Sequence, residues 1–193
     1  KENFGDVRQG HADIAALEDC LKVIGEKIDP ECLVLIETTV PPGTTEYVAY
    51  PIIKKAFDRR GIGDHEPLLA HSFERVMPGR NYVASIRDFW RVCSGINSEA
   101  RQRVVKFLSE VLNVAKYPLT VLDRPIESET CKIVENSYRA AILAFMNEWS
   151  LFAECNGVDL VKVMQAIKVR PTHSNLIFPG PGIGGYCLPK DGG

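Results

Sequence analysis

The feature of this chain that most limits its possible folds is a long segment without helix-breaking residues. No Gly or Pro occurs between Pro125 and Gly157, and the segment is rich in Ala, Glu, Leu and aromatic residues. Because Gly and Pro are the residues that most often end a helix, the sequence predicts one long helix here. Apolar residues recur along it at intervals of three and four positions, which gives the helix an apolar stripe. The stripe consists of Ile126, Ile133, Tyr138, Ala141, Ile142, Phe145, Trp149 and Phe152.

The residues before this helix alternate between short apolar runs and amphipathic segments. Such alternation is typical of an α/β fold, in which a mostly parallel sheet carries helices on its faces. The predicted strands cover residues 32–37, 68–72, 90–94 and 117–122, and the predicted helices cover 11–28, 44–57 and 97–112. Pro51 should interrupt the second of these helices. After the long helix, Asp159 is a candidate N-cap for a shorter helix that runs to about Lys168.

Length, charge and cysteine usage exclude several classes of function. The 193 residues, 45% of them hydrophobic, can bury a core for one domain and part of another. A net charge of −2 provides no basic surface, so neither nucleic acid nor a membrane is an expected partner. No membrane span or secretion signal is recognisable, which makes the cytoplasm the default location. The six cysteines are scattered without a Cys-x-x-Cys pair, so we expect neither a metal site nor a disulfide framework.

A cysteine near the end of the chain lies between a run of glycines and a Lys-Asp pair. Residues 179–191 read Pro-Gly-Pro-Gly-Ile-Gly-Gly-Tyr-Cys-Leu-Pro-Lys-Asp, which places the thiol at Cys187. Glycines permit positive φ and a close approach of the backbone to a ligand. Lys190 and exposed N–H groups would favour the thiolate over the thiol. A lone cysteine in a tight turn is more often a packing residue, but these surroundings favour a nucleophile.

Three further segments carry polar residues in positions that suit a site. Lys132 and Asn136 lie one turn apart on the long helix, so a cation and an amide could reach one ligand atom. Thr39 follows an apolar run and precedes a Pro-Pro-Gly turn, and Glu74 follows the next apolar run. Both are therefore predicted at the carboxyl ends of strands, where open α/β sheets bind ligands. Taken singly, the Lys-Asn pair would more often be a solvated helix face, and Glu74 a surface carboxylate.

In this order, the four segments resemble the nucleotide-sugar 6-dehydrogenases, the UDP-glucose/GDP-mannose dehydrogenase family. The shared motifs are the Thr-Val-Pro turn, a Glu followed at a fixed interval by Gly, Lys-x-x-x-Asn on a helix, and Gly-Gly-x-Cys-x-x-x-Asp. The resemblance covers nearly the whole chain, and the last motif is highly specific. The segments Glu-Arg-Val-Met-Pro-Gly-Arg and Glu-Asn-Ser-Tyr-Arg-Ala look more like enzymes acting on UDP-N-acetylhexosamines. Pro78 stands where UDP-glucose enzymes commonly carry a second glutamate, which disfavours UDP-glucose.

The resemblance implies a fold, a cofactor and a partner. It implies the second part of a Rossmann-like NAD-binding domain over residues 1–124, followed by an all-helical central domain over 125–193 that forms a homodimer through the long helix. The helix could instead be a plain core element, and the resemblance favours the dimer. No Gly-x-Gly-x-x-Gly follows a strand, and the chain stops two residues after Asp191. We therefore expect an internal fragment that lacks the cofactor's phosphate loop and is inactive alone.

The resemblance also implies a reaction, the NAD-dependent four-electron oxidation of the C6 alcohol of a UDP-sugar to the acid. Cys187 would form a thiohemiacetal and then a thioester, while Lys132 and Asn136 stabilise the negatively charged oxygen. Thr39, Asp191 and Glu74 would hold the hydrolytic water, with Glu74 as its base. Further residues are assigned to ligands: Thr39, Glu74 and Lys190 to the cofactor, and Arg75, Gly182, Gly184, Gly185 and, from the partner subunit, Arg170 to the substrate.

Two other interpretations stay open on the sequence alone. A two-electron dehydrogenase of the 6-phosphogluconate or hydroxyacid type shares the sheet and the long helix with its lysine, but it needs no cysteine. The number of NADH formed per substrate would separate the two enzyme types. A non-catalytic module for dimerisation is the third interpretation, and turnover by the full-length protein would exclude it.

Overall fold

The computed structural model describes residues 13–76, 79–185 and 187–191, without the side chains of residues 189 and 190. The described residues form two compact units, one up to Lys132 and the other from Ile133 onward. The first unit is α/β and the second is helical, as the sequence predicts. His11, where the first predicted helix begins, lies outside the described residues.

The first unit is built on a four-stranded sheet. Its strands are β1 (Val34–Ile36), β2 (Leu69–Phe73), β3 (Val92–Gly95) and β4 (Thr120–Leu122), in the order β1-β2-β3-β4. The β1/β2 and β3/β4 pairs are parallel, whereas β2 and β3 are antiparallel. The sheet is therefore mostly parallel, as predicted, but the reversal at β3 was not predicted. All residues of β2 and β3 are buried, which fits strands in the middle of a sheet covered on both faces.

Helices cover both faces of this sheet. They are α1 (Ala15–Lys27) and α2 (Tyr50–Arg59) on one face and α4 (Ser98–Val111) on the other. A further short helix, α3 (Tyr82–Arg87), has no buried residue. One apolar cluster includes Leu21, Ile53, Phe57 and Leu69, and a second includes Ala70, Cys93, Val104 and Leu108. Residues 70 and 69 of β2 belong to different clusters, because successive side chains of a strand point to opposite faces.

The helix start after β1 is irregular, as Pro51 predicts. Residues Thr45–Ala49 form a π-helical turn that continues directly into α2. Pro51 then lies in the first turn of α2, where the missing N–H of proline is tolerated. Threonine is a common N-cap residue, but the Thr44 side chain at the N-cap of this segment makes no capping hydrogen bond.

The second unit contains most of the long helix and three shorter elements. The long helix, α5, spans Pro125–Asn156 and ends at Gly157, whose φ of 65° is a conformation that glycine adopts without strain. Next come α6 (Leu160–Lys168), a 3₁₀ turn (Pro171–His173) and α7 (Cys187–Asp191). The predicted cap of α6 is confirmed, since the Asp159 carboxylate accepts a hydrogen bond of 3.1 Å from the backbone N–H of Lys162. Among the described residues, no helix is both long and apolar enough to span a bilayer.

Candidate active site

Two candidate residues lie at the same edge of the sheet. The last residue pair that joins β1 to β2 is Ile36 and His71, and both strands run in the same direction. Thr39 and Glu74 each lie three residues beyond that pair, just past the carboxyl ends of the strands. Both side chains are partly buried. The predicted strand-end positions of these two residues are thus found in the fold.

The Lys132 ammonium is held against the end of β2. Its Nζ donates a hydrogen bond of 3.0 Å to the backbone carbonyl of Glu74 and lies 5.5 Å from the centre of the Phe73 ring. The second contact has the geometry of a cation–π interaction. The structure therefore brings Lys132 and Glu74 together, although the two are 58 positions apart in sequence. The Glu74 carboxylate itself accepts a short hydrogen bond from the backbone N–H of Val76.

Arg75, the residue assigned to the substrate, is occupied by contacts of its own unit. Its guanidinium lies 4.9 Å from the centre of the Phe73 ring and donates a 2.7 Å hydrogen bond to the carbonyl of Trp90. The Phe73 ring, at the end of β2, is therefore in contact with two cationic groups, those of Arg75 and Lys132. Met77 and Pro78, which belong to the same motif, lie outside the described residues.

The second unit positions the cysteine through a carboxylate. Asp191 ends α7, and its side chain accepts a 2.7 Å hydrogen bond from the amide of Asn136. The backbone carbonyl of Asp191 accepts a further hydrogen bond of 3.1 Å from the hydroxyl of Ser137. Cys187, exposed, is the first residue of the same short helix. Both contacts therefore hold the short helix that begins with Cys187 against α5.

The glycine segment before the cysteine has the backbone that its composition suggests. Gly182 has a φ of 93° and Gly185 a φ of 84°, both in the left-handed region that favours glycine, whereas Gly184 does not. Arg170 is exposed and starts the 3₁₀ turn. The side chain of Lys190, predicted for the cofactor, lies outside the described part of the structure.

Two parts of the chain match domains of one known enzyme family. Residues 6–113 match the NAD binding domain of the UDP-glucose/GDP-mannose dehydrogenase family, and residues 126–192 match the central domain of the same family. The chain belongs to this family. The resemblance inferred from the motifs is therefore confirmed, and so is NAD as the cofactor of the matched domain.

Individual relatives agree with this assignment. The UDP-N-acetyl-D-mannosamine dehydrogenase of Pyrococcus horikoshii is 33% identical over 181 residues, which cover 93% of this chain and 41% of that protein. The NDP-N-acetyl-D-galactosaminuronic acid dehydrogenase of Methanosarcina mazei superposes with a TM-score of 0.76 at 30% identity, over 98% of this chain and 39% of the other. A UDP-glucose dehydrogenase of Pyrobaculum islandicum superposes with a TM-score of 0.80 at 26% identity, over 96% of this chain and 41% of the other. The chain spans about two fifths of the length of these relatives.

A buried carboxylate beside the candidate residues was not predicted from the sequence. Glu129 is fully buried, and it accepts hydrogen bonds from the backbone N–H groups of Gly43 and Thr45, at 2.5 and 2.8 Å, and from the Thr45 hydroxyl at 2.6 Å. Glu129 precedes Lys132 by three positions, so the two share one face of α5.

A buried histidine joins three elements of the first unit. His71 Nδ1 lies 2.7 Å from the hydroxyl of Ser128 on α5, which lies 2.7 Å from the hydroxyl of Ser94 on β3. Burial lowers the pKa of His71 to about 4, and a weak interaction with the backbone of Thr38 offsets only part of this shift. Its Nε2 makes no hydrogen bond of ordinary geometry to the described residues. His71 is therefore a neutral structural residue at neutral pH.

Cys93 and Cys187 differ in exposure. Cys93 on β3 is fully buried, and this burial raises the pKa of its thiol to about 11. A buried neutral thiol of this kind is unreactive. Cys187, in contrast, is open to solvent at the start of α7. Cys20, Cys32 and Cys155 are exposed as well, so the choice of Cys187 as the nucleophile stays a prediction.

Proposed function

We propose that the full-length protein is an NAD-dependent nucleotide-sugar 6-dehydrogenase that oxidises the C6 alcohol of a UDP-N-acetylhexosamine to the uronic acid. The observation that carries this proposal is the exposed Cys187 on a helix that Asn136 and Ser137 hold through Asp191. UDP-N-acetylmannosamine is the favoured substrate, because relatives at 28–33% identity are named as dehydrogenases of that sugar. UDP-glucose is the second choice.

The cysteine explains how one site can remove four electrons. A primary alcohol becomes an acid in two two-electron steps, so the aldehyde must be retained between them. The Cys187 thiolate adds to the aldehyde carbon and gives a thiohemiacetal, and loss of a hydride from that carbon gives a thioester. Water then attacks the thioester, which releases the acid and returns the thiolate.

Other residues of the chain would support these steps. Lys132 would supply a positive charge to the negatively charged oxygen, and Asn136 would donate a hydrogen bond to it. Removing one such donor commonly raises the activation free energy by about 2.7–4 kcal/mol. Thr39, Asp191 and Glu74 would hold the hydrolytic water, and Glu74 would take its proton. The closeness of Lys132 to the backbone of Glu74 supports placing the charge and the base in one site.

NAD accepts the hydrides in this family's chemistry. Thr39 and Glu74, at the ends of adjacent parallel strands, occupy the edge where open sheets bind dinucleotides, so these residues fit a cofactor site. Lys190 would add a positive charge for the cofactor. The sugar and diphosphate would be bound by side chains and by glycine backbone. These residues are Arg75, Gly182, Gly184, Gly185 and, from a second subunit, Arg170.

We also propose a homodimer through α5, and a domain boundary near residue 125, between the two family matches. Phe145, Trp149 and Phe152 form a stack of edge-to-face rings on α5, and all three are 46–56% exposed. An apolar stripe of this kind suits burial against the same helix of a second copy.

Exposed free thiols at Cys20 and Cys155 suit a reducing compartment, and we place the protein in the cytoplasm. Its product would serve polysaccharide biosynthesis.

The test of the proposed function is the stoichiometry of the full-length protein. We would incubate it with excess NAD and limiting UDP-N-acetylmannosamine, UDP-N-acetylglucosamine, UDP-glucose or GDP-mannose, and measure NADH and sugar acid. Two NADH per acid support the proposal, and one NADH with an aldehyde or ketone product supports the two-electron type. No turnover on any of the four would leave the dimerisation module as the better interpretation.

A further inference from the structure

The buried carboxylate of Glu129 has an unusual set of partners. Its side chain is 0% exposed, and its partners among the described residues are two backbone N–H groups and one hydroxyl, from Gly43 and Thr45. Burying a carboxylate is costly unless hydrogen bonds or opposite charge compensate it. Packing alone does not explain the position, because an apolar residue there would leave the N–H groups of Gly43 and Thr45 without this acceptor.

The compensation comes from the start of a helix. Gly43 and Thr45 lie where the chain enters the helical segment formed by Thr45–Ala49 and α2. The first N–H groups of such a segment have no acceptor within it, and its dipole places partial positive charge there. Glu129 supplies the missing acceptors from α5, 84 and 86 positions away. It thereby joins α5 to the turn that follows Thr39.

The same helix face carries the candidate catalytic lysine. Glu129 and Lys132 are three positions apart on α5, and the Lys132 ammonium reaches the carbonyl of Glu74. One side chain thus anchors the helix to the turn after β1, and the other reaches the end of β2. We propose that Glu129 is a positioning residue whose buried carboxylate holds Lys132 at the Glu74 carbonyl. Its effect on turnover rests on the function proposed above, but its effect on Lys132 does not.

The experiment measures the reactivity of Lys132 directly. Full-length Glu129→Gln, wild-type protein and the control Glu127→Gln are labelled with trace acetic anhydride, and each lysine is followed by peptide mass spectrometry. Glu127 is exposed on the same helix, so its variant removes the same charge without the buried contacts. Loss of the anchoring should raise Lys132 labelling by about tenfold in Glu129→Gln, and leave the exposed Lys106 unchanged. Equal Lys132 labelling in folded wild type and Glu129→Gln would overturn the proposal.

A second pair of variants keeps the test valid if Glu129→Gln does not fold. Thr45→Val removes one hydroxyl donor at nearly constant shape, and Thr45→Ser keeps it. Faster Lys132 labelling in Thr45→Val than in Thr45→Ser supports the proposal, whereas equal rates contradict it.

Turnover gives the third readout, and it separates the two proposals. If wild type oxidises a nucleotide sugar, kcat of Glu129→Gln should fall about tenfold with KM nearly unchanged, because the charge on the reacting oxygen is misplaced. Unchanged kcat would overturn the positioning role. If wild type has no turnover, the proposed function fails, and the labelling of Lys132 still decides the role of Glu129.

Discussion

The beginning of α5 and the remainder of that helix are stabilised in different ways. At the beginning, Ser128 and Glu129 are fully buried and make polar contacts to the sheet and to the turn after β1. Further along, the buried residues are few and mostly small, whereas the large aromatic residues face outward. The buried residues of the later part are Ala140, Met146 and Ala153, and the exposed aromatic residues are Tyr138, Phe145, Trp149 and Phe152.

This difference shows what each unit can do by itself. The first unit closes two apolar clusters around its sheet and satisfies the buried polar groups of α5 within its own contacts. The second unit leaves a contiguous aromatic stripe in contact with water, which a stable soluble surface avoids. Substitutions in the first unit should therefore change its folding and the position of Lys132, and those along the stripe should change association.

The largest expected effect separates Cys187 from the other exposed thiols. In the full-length protein, Cys187→Ser should lower acid formation by more than about 10³-fold, because serine is a far poorer nucleophile at neutral pH. Cys155→Ser, also exposed and in the same unit, should retain wild-type activity. Sugar acid is quantified by chromatography, and binding of the nucleotide sugar by calorimetry. Acid formation by Cys187→Ser at near wild-type rate would remove the covalent mechanism.

Glu74 tests the chemistry assigned to the end of β2. Glu74→Gln should slow thioester hydrolysis by about 10²–10⁴-fold, because only that step requires a base for water. A covalent adduct on Cys187 should then accumulate, and intact-mass spectrometry after mixing with substrate and NAD would detect it. Glu110→Gln, an exposed carboxylate on α4, is the control. An equally slow first hydride transfer without any adduct would assign Glu74 to another step.

His71 tests the self-sufficiency of the first unit. Its folded pKa of about 4 lies below the ordinary value of 6.5, so between these values the unfolded chain binds a proton that the folded chain does not. The free energy of unfolding should thus fall by about 3 kcal/mol from this residue as pH drops from 7 to 4. Measured by urea unfolding, the free energy of unfolding of His71→Asn should not show this fall between pH 7 and pH 4. The control His65→Gln, at an exposed histidine, should show it. Parallel pH curves for wild type and His71→Asn would contradict the assignment.

The sequence predicts those elements whose signal is local. The absence of Gly and Pro and the spacing of apolar residues indicated α5 correctly to its end, and short apolar runs placed Thr39 and Glu74 after their strands. Asparagine is a favoured N-cap residue, and the Asn97 side chain at the start of α4 accepts a 2.8 Å hydrogen bond from Ala100 N–H. Strands β1, β3 and β4 are shorter than predicted, because apolar runs extend beyond the residues that pair, and β2 has its predicted length but lies one residue later.

Features that depend on distant partners could not be predicted in the same way. The antiparallel direction of β3 depends on its pairing with β2, which the local pattern of the segment between them does not indicate. The role of Glu129 depends on N–H groups more than eighty positions away, so a helical glutamate gave no sign of burial. The helical form of residues 187–191 was also missed, because five residues after a glycine run carry too little periodicity.

The aromatic stripe tests the second half of the comparison. Trp149→Ala should raise the dimer dissociation constant by about 30-fold, equivalent to roughly 2 kcal/mol, because buried tryptophans dominate interface energies. Trp90→Ala is the matched control, since Trp90 is 52% exposed but lies in the first unit, against 46% for Trp149. Analytical ultracentrifugation over a concentration series would measure both. A wild-type protein that stays monomeric at high concentration would refute the proposed dimer.

The smallest expected change is in the free energy of unfolding when a helix cap is removed, and each unit has one such cap. Asn97 caps α4 through a part-buried hydrogen bond within the self-contained unit, and Asp159 caps α6 through an exposed one. Asn97→Ala should lower the free energy of unfolding by about 1 kcal/mol. Asp159→Ala should change it less, because water can replace the lost acceptor at an exposed helix start. Thermal unfolding followed by circular dichroism would compare the two variants with wild type. A larger loss of stability in Asp159→Ala than in Asn97→Ala would contradict this order. It would mean that the second unit depends on its local contacts more than its exposed aromatic stripe suggests.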